Sequence, residues 1–291
     1  MITLYLMSKK GFYCLQRIIE NYPDKNLSVV SARDKSIDHD YYDQIEALCR
    51  NNNISFFDRK DLSFRDDAQF SIAVSWRWLI NKDIGRLIVL HDSLLPRYRG
   101  FNPLVSCLVN AEREIGVSGI FSSPQYDEGD IIYQASIKID YPVKIAAAID
   151  MILACYKEVI LQILDYILKG HKIPFCKQNH ELATYSLWRD EQDYKVDWQQ
   201  DSGYIKRFID AVGPPYHCAF AMLNQQKIRI MDAEVVPDVK IENRHVGKVI
   251  FIEGTCPIIV CGAGLIKITN AVFEESKINA LPLPNFRARL T

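Results

Sequence analysis

The stretch His91-Asp92-Ser93-Leu94-Leu95-Pro96-Arg97-Tyr98-Arg99-Gly100 follows an apolar run at residues 86–90 and opens a polar, proline-stiffened loop. Residues 69–75 carry Phe70, Ile72, Ala73 and Val74, interrupted only by Ser71, and read as a central strand buried on both faces, with 86–90 as another. His91 then stands at a strand's carboxyl end, where open parallel sheets hold ligands. Asp127-Glu128-Gly129-Asp130 comes later in the chain. A histidine handles protons near neutral pH, and a carboxylate that fixes its tautomer and supports its charged form makes it a general acid–base candidate. The same two residues also describe a packed polar pair, so exact string and spacing must decide between the readings.

Working outward, short β-rich runs alternate with amphipathic segments through the first 140 residues, the pattern of a mostly parallel sheet with helices on both faces. Strands are expected at 3–7, 27–31, 54–57, 69–75, 86–90, 116–122 and 131–139, and helices at 11–22, 40–52 and 143–169. In the long helix, Ile145, Ile149, Ile152, Tyr156, Val159, Ile160 and Ile163 recur at helical spacing as core. Gly170 suits a helix stop. Beyond it the texture changes to one helix at 202–212 and closely spaced strands at 219–223, 227–236, 247–253, 257–261 and 265–272, the signature of a small barrel or sandwich. The expected organisation is a Rossmann-like catalytic domain at 1–170, a linker at 171–200 and a small β-rich, barrel-like C-terminal domain at 201–291.

Lys+Arg of 35 against Asp+Glu of 36 leaves no global basic field for a phosphate polymer. Eight cysteines without Cys-x-x-Cys spacing read as reduced thiols and point to no metal. The apolar start is short, with Lys9-Lys10 after it rather than before, and no run approaches the roughly 18 apolar residues of a membrane span. A cytoplasmic, non-membrane protein is expected, with dimerisation left open.

The string His91-x-Ser93-Leu94-Leu95-Pro96-x-Tyr98-x-Gly100, followed by Pro103, Gly116-Val117 and Asp127-x-Gly129-Asp130-Ile131, closely resembles the catalytic core of the folate-dependent formyltransferases. The resemblance is strong over residues 65–170 and looser through Thr184-Tyr185, Asp197-Trp198 and Gly213-Pro214-Pro215. The stretch 185–194 is more similar to the sugar N-formyltransferases than to the tRNA-modifying members. The resemblance implies N10-formyltetrahydrofolate as cosubstrate and His91 and Asp127 as the proton-handling pair.

The family usually has an asparagine two residues before the histidine, polarising the formyl carbonyl; here Val89 stands there, and its side chain donates no hydrogen bond. Asn102 is the candidate stand-in, with protonated His91 or a water as the alternative, against a simple turn role. Trp76, Arg77, Trp78, Ser93, Leu94, Leu95, Pro96, Gly129 and Asp130 are candidates for the folate side. Lys9, Lys10, Asp92, Arg97, Arg99, Tyr185 and Trp188 are candidates for the acceptor, Asp92 holding an ammonium, the cations meeting phosphates, and the two aromatics stacking on a base or sugar. Packing and solvated-loop roles stand beside each. The other histidines, 39, 171, 180, 217 and 245, show no partner pattern. The leading expectation is formylation of a nucleotide-activated amino sugar in surface glycan synthesis. Methionyl-tRNA formylation, formyltetrahydrofolate hydrolysis and a non-catalytic binding homologue are the alternatives.

Overall fold

In the computed structural model, which describes residues 1–291 except 36 and 38, the apolar runs become the strands of a twisted sheet. The first part of the chain is β1 (Ile2–Leu6), α1 (Ser8–Asn21), β2 (Leu27–Ser31), α2 (Tyr42–Asn51), β3 (Ser55–Asp58), β4 (Phe70–Val74) and β5 (Leu87–His91). It continues through β6 (Arg99–Gly100), α3 (Pro103–Val109), β7 (Glu114–Phe121), β8 (Ile131–Lys138) and α4 (Ile145–Leu168). Seven of these strands form one sheet in the order β3-β2-β1-β4-β5-β7-β8. The five from β3 to β5 are parallel, and β7 and β8 add antiparallel partners. The order reverses between β1 and β4, so the carboxyl ends of β1, β4 and β5 converge on the crevice where such sheets bind ligands.

β1 and β2 are buried along their whole length, and α1 packs on β1, burying Cys14, Leu15 and Ile18. On β5, Leu87, Val89 and His91 alternate with Ile88 and Leu90, so those three share a face. Val89 is partly buried and packs in two apolar clusters, one with Tyr5, Ala73, Leu87 and Trp76, the other with Leu95, Ile120 and Ile131. Short α3 was not expected from the sequence.

The chain divides into two compact units, residues 1–104, 113–139 and 148–188 in one and 105–112, 140–147 and 189–291 in the other. The first also holds β9 (Tyr185–Ser186), which pairs in parallel with β6. The second contains α5 (Ser202–Ala211), capped by Asp201, whose side chain accepts from the Tyr204 N–H. Its five strands are β10 (Ala219–Leu223), β11 (Gln226–Val236), β12 (Val249–Glu253), β13 (Cys256–Val260) and β14 (Leu265–Phe273), antiparallel in the order β10-β11-β14-β13-β12. The chain at 288–291 spans the two edge strands: Thr291 exchanges main-chain hydrogen bonds with Met222, and the Val249 N–H donates to the Ala288 carbonyl. That closure gives the unit its barrel-like character. Among the described residues no helix is long and apolar enough to cross a membrane.

The sheet's polar anchor is Asp66, which accepts from Thr3 Oγ1 (2.9 Å), Tyr5 Oη (2.9 Å), Ser71 Oγ (2.6 Å) and Lys82 Nζ (3.0 Å). Burial pushes its carboxyl up, but the hydrogen bonds from Ser71, Lys82, Thr3 and Tyr5 outweigh that and hold it below the ordinary carboxylate range. A depressed carboxylate stabilises the fold above its unfolded pKa of about 3.9, and that contribution is lost as pH falls through the folded value. Asp66→Asn leaves buried Lys82 without its anion, at a cost of about 3–5 kcal/mol. Urea denaturation at pH 7 should show this loss, with the gap to wild type narrowing below about pH 4.

Candidate active site

β5 delivers His91, 7% exposed, to the crevice. Its Nε2 lies 2.8 Å from the Tyr98 carbonyl and its Nδ1 lies 3.5 Å from Asp127 Oδ2. A carbonyl only accepts, so Nε2 carries a proton. In the neutral ring Nδ1 therefore holds the free lone pair, and the carboxylate facing it is placed to stabilise the charge formed when Nδ1 takes up a proton. The sequence reading gave tautomer control to the carboxylate; in the structure the group on Nε2 is the Tyr98 carbonyl, while Asp127 faces Nδ1.

Asp127 is held unusually. Its φ of 55° is in the left-handed region, which costs a non-glycine residue on the order of 1 kcal/mol. The Gly100 N–H donates to its Oδ2 at 2.8 Å, and its own carbonyl accepts from Gln178 Nε2 at 2.7 Å. Two glycines are required by close approach. A Cβ on Gly129 would lie 1.7 Å from the Phe121 carbonyl oxygen, and one on Gly100, itself at φ 92°, would lie 2.5 Å from that of Ser186.

The Ser93–Pro96 loop is fixed from β7 and β8. Ser118 Oγ donates to the Ser93 carbonyl (2.5 Å) and accepts from the Leu95 N–H (3.0 Å), while Gln134 Nε2 donates to the Leu95 carbonyl (3.0 Å) and to Ser118 Oγ (2.7 Å). Ser93 Oγ turns inward to the Arg97 carbonyl, 2.7 Å away. Leu94 packs where Gly116 has no side chain, since a Cβ there would meet it at 2.5 Å. Asp130 closes the other loop by accepting from the Phe121 N–H through its carbonyl. Trp76 packs edge-on against Tyr5 and Trp78 on the face shared with Val89, and its enclosed Nε1 has no hydrogen-bond partner among the described residues. Arg77 forms a bidentate pair with Asp34, and Trp78 lies under Arg59. Asn102 stands just before α3 with φ 49°.

Several residues expected to face an acceptor are engaged within the protein. Arg99 is 1% exposed, and its five N–H groups meet Gln178 Oε1 twice (3.1 and 2.8 Å), Glu128 Oε1 (2.9 Å), Tyr185 Oη (3.2 Å) and His180 Nδ1 (3.3 Å). It binds the Asp127 loop rather than a ligand phosphate. Asp92, expected to hold an ammonium substrate, instead pairs with the Lys10 ammonium and the Tyr156 hydroxyl. Lys10 is 7% exposed and so is not presented to a diphosphate, while Lys9 pairs with Asp150 on the surface. Arg97 is exposed, stacked over the Tyr98 ring, and Trp188 is exposed as well. Tyr185 keeps an exposed ring while its hydroxyl donates to Glu128 Oε1 at 3.1 Å.

The functional groups that the sequence did not suggest are main-chain or remote: the Tyr98 carbonyl, the Gly100 N–H, Ser118, Gln134 and Gln178. Tyr98 and Gly100 left a signal as members of the quoted string; Ser118, Gln134 and Gln178 left none. Among the described residues no cluster of three or more His, Cys, Asp or Glu side chains could hold a metal ion.

Comparison with known proteins gives the family. Residues 70–153 match the family model described as formyl transferase, and residues 189–282 match that of the formyl transferase C-terminal domain, together more than half of the chain. The methionyl-tRNA formyltransferase of Fusobacterium nucleatum is 26% identical over 263 residues, covering 85% of this chain and 82% of that protein. Among solved structures, the sugar 3N-formyltransferase WlaRD superposes with a TM-score of 0.67 at 21% identity, over 91% of this chain and 96% of that one. The N-formyltransferase of Helicobacter canadensis gives 0.68 at 17% identity, over 92% and 98%. The chain belongs to the formyltransferase family and is an enzyme of formyl-group transfer.

Burial alone pushes the Asp92 carboxyl up, but the Lys10 charge and the hydrogen bonds from Lys10 and Tyr156 hold it below the ordinary range; burial and Asp92 push the Tyr156 phenol well above its own. Asp92→Asn removes the carboxylate that pairs with the buried Lys10 ammonium, so it should lower stability by about 3–5 kcal/mol. Thermal melting and acceptor kinetics check this together: the melting temperature falls while KM for the amine stays unchanged. A raised KM with unaltered melting would restore the ammonium-binding role.

Proposed function

We propose that this protein transfers the formyl group of N10-formyltetrahydrofolate to the amine of a nucleotide-activated amino sugar, in the cytoplasm, for surface glycan biosynthesis. The observation that carries the reading is the His91–Asp127 pair, with Tyr98 holding the proton on Nε2 and Nδ1 left as the base. In this reading Nδ1 removes a proton from the attacking amine, Asp127 stabilises the imidazolium, and the same proton goes to the departing folate nitrogen. The folate side is proposed to be walled by Trp76, Arg77, Trp78, Leu94, Leu95, Pro96, Ser93, Gly129 and Asp130. Val89 adds an apolar surface where a donor is usual, so Asn102 is proposed as the donor to the developing oxyanion.

Two observations favour a sugar nucleotide as acceptor. The two structural relatives named above are described with dTDP and 5-N-formyltetrahydrofolate, and with dTDP-3-aminofucose and folinic acid, respectively. From 171 to 291 the chain has 15 Lys+Arg and 14 Asp+Glu, too even a balance to grip the phosphates of tRNA. Initiator tRNA is the second reading, favoured by the naming of the sequence relative.

The test is incubation with N10-formyltetrahydrofolate and, separately, a panel of amino-sugar nucleotides and methionyl-tRNA, followed by mass analysis. A formyl increment on a sugar nucleotide is expected. Formylated methionyl-tRNA alone would replace the acceptor; folate release without any formylated acceptor would identify a hydrolase; neither product would mean a binding homologue. His91→Asn should lower kcat by about 10²–10⁴ while sugar-nucleotide binding, measured by calorimetry, is retained. Asn102→Ala should lower kcat by about 10²–10³ if its amide serves the oxyanion, and leave it unchanged if it is only a turn residue.

A further inference from the structure

Residues 176–186 lie between the two family-matched regions, within the stretch expected as a linker. In the structure they form a strap laid between the loop that follows His91 and the loop that carries Asp127. At one end Cys176 exchanges main-chain hydrogen bonds with Ile131, 2.8 Å each way. At the other, the Thr184 carbonyl accepts from the Arg99 N–H (2.8 Å), the Ser186 carbonyl from the Phe101 N–H (3.0 Å), and Thr184 Oγ1 from the Tyr98 N–H (2.9 Å). Between these anchors stands Gln178, 6% exposed. Its Oε1 accepts twice from Arg99, and its Nε2 donates to the carbonyls of Asp127 and Gly129, both at 2.7 Å. All four hydrogen-bonding positions of the carboxamide are used.

We infer that this strap is a positioning element for the His91–Asp127 pair and that Gln178 is its positioning residue, acting on Asp127 through the main chain and on the Gly100 segment through Arg99. The inference rests on the reading of that pair as the proton-handling site. Asp127 Oδ2 is committed to the Gly100 N–H, so the side chain itself does not hold the residue at its left-handed φ. The two bonds from Nε2 fix the peptide planes after Asp127 and after Gly129, and so the direction in which the carboxylate leaves the chain. The site demands a side chain that accepts from a guanidinium and donates to two carbonyls at once. A carboxylate meets the first requirement and fails the second, since it would face two carbonyl oxygens with no proton to offer.

Gln178→Glu therefore preserves the acceptor for Arg99 and removes only the grip on the Asp127 loop. Hydrogen exchange on the full chain, read by NMR at Gly100, reports the Gly100–Asp127 contact directly. Gly100 should exchange at least about tenfold faster in Gln178→Glu, as in the control Asp127→Ala, while the amides of β1 and β5 keep their protection. Unchanged Gly100 protection in Gln178→Glu overturns the inference. Turnover gives the second arm, using N10-formyltetrahydrofolate and whichever acceptor wild type formylates. Gln178→Glu should lower kcat by about 10- to 100-fold with KM within about threefold, and add less than about twofold to the loss already caused by Asp127→Asn. Full independent losses in the double variant would show that Gln178 acts elsewhere. Should Asp127→Asn alone keep the wild-type rate, the proton-pair reading falls, and the exchange arm still decides the strap. If Gln178→Glu does not fold, Gln178→Met carries the same two measurements.

Discussion

The carboxylate of Asp127 is pinned by a single backbone donor, the Gly100 N–H at 2.8 Å, and the remaining architecture around the crevice serves to bring that donor, that carboxylate and His91 into one place. The contact joins two loops from different parts of the sheet, one following β5 and the other joining β7 to β8. Neither loop specifies it alone. Gly100 reaches its position because it takes φ 92° against the Ser186 carbonyl, and the Asp127 loop passes Phe121 only because Gly129 has no side chain. Arg99 then ties the two loops to Gln178, Glu128 and Tyr185. A buried guanidinium is tolerated only when its donors are satisfied, and here each one is.

Much of this arrangement was legible in the sequence. Strands buried on both faces, such as Phe70–Val74 and Leu87–His91, announce themselves as near-continuous apolar runs, and a parallel order follows from their alternation with amphipathic helices. His91 and Asp127 were legible because string and spacing matched a known pattern. Helix α3 was not, since Phe101-Asn102-Pro103 reads as a turn and seven residues give too little periodicity. Closure of the second unit by residues 288–291 depends on main-chain bonds to Met222 and Val249, which leave no mark on side-chain pattern.

The site residues that moved share one physical cause. Lys10, Asp92 and Arg99 are charged, and sequence gives the charge but not the burial. Asp92 meets Lys10 from the first helix and Tyr156 from α4, so its partners lie 82 and 64 positions away. No local rule reaches that far. Once buried, each charge must find an opposite charge or a hydrogen-bond partner inside the protein, and that requirement removes it from the set of groups available to a substrate. Val89 illustrates the converse. Its apolar side chain fits the clusters on both sides of β5, so the wall of the crevice gains packing where a polar donor would otherwise stand.

The account stands on the claim that the reacting formyl group lies against His91. The direct measurement is a crystal structure of the protein with 5-formyltetrahydrofolate bound. The account predicts the pterin in the crevice at the carboxyl ends of β4 and β5, with the formyl group within about 3–3.5 Å of the His91 ring. A pterin bound elsewhere on the chain, with no part of the folate against the His91 ring, would contradict it.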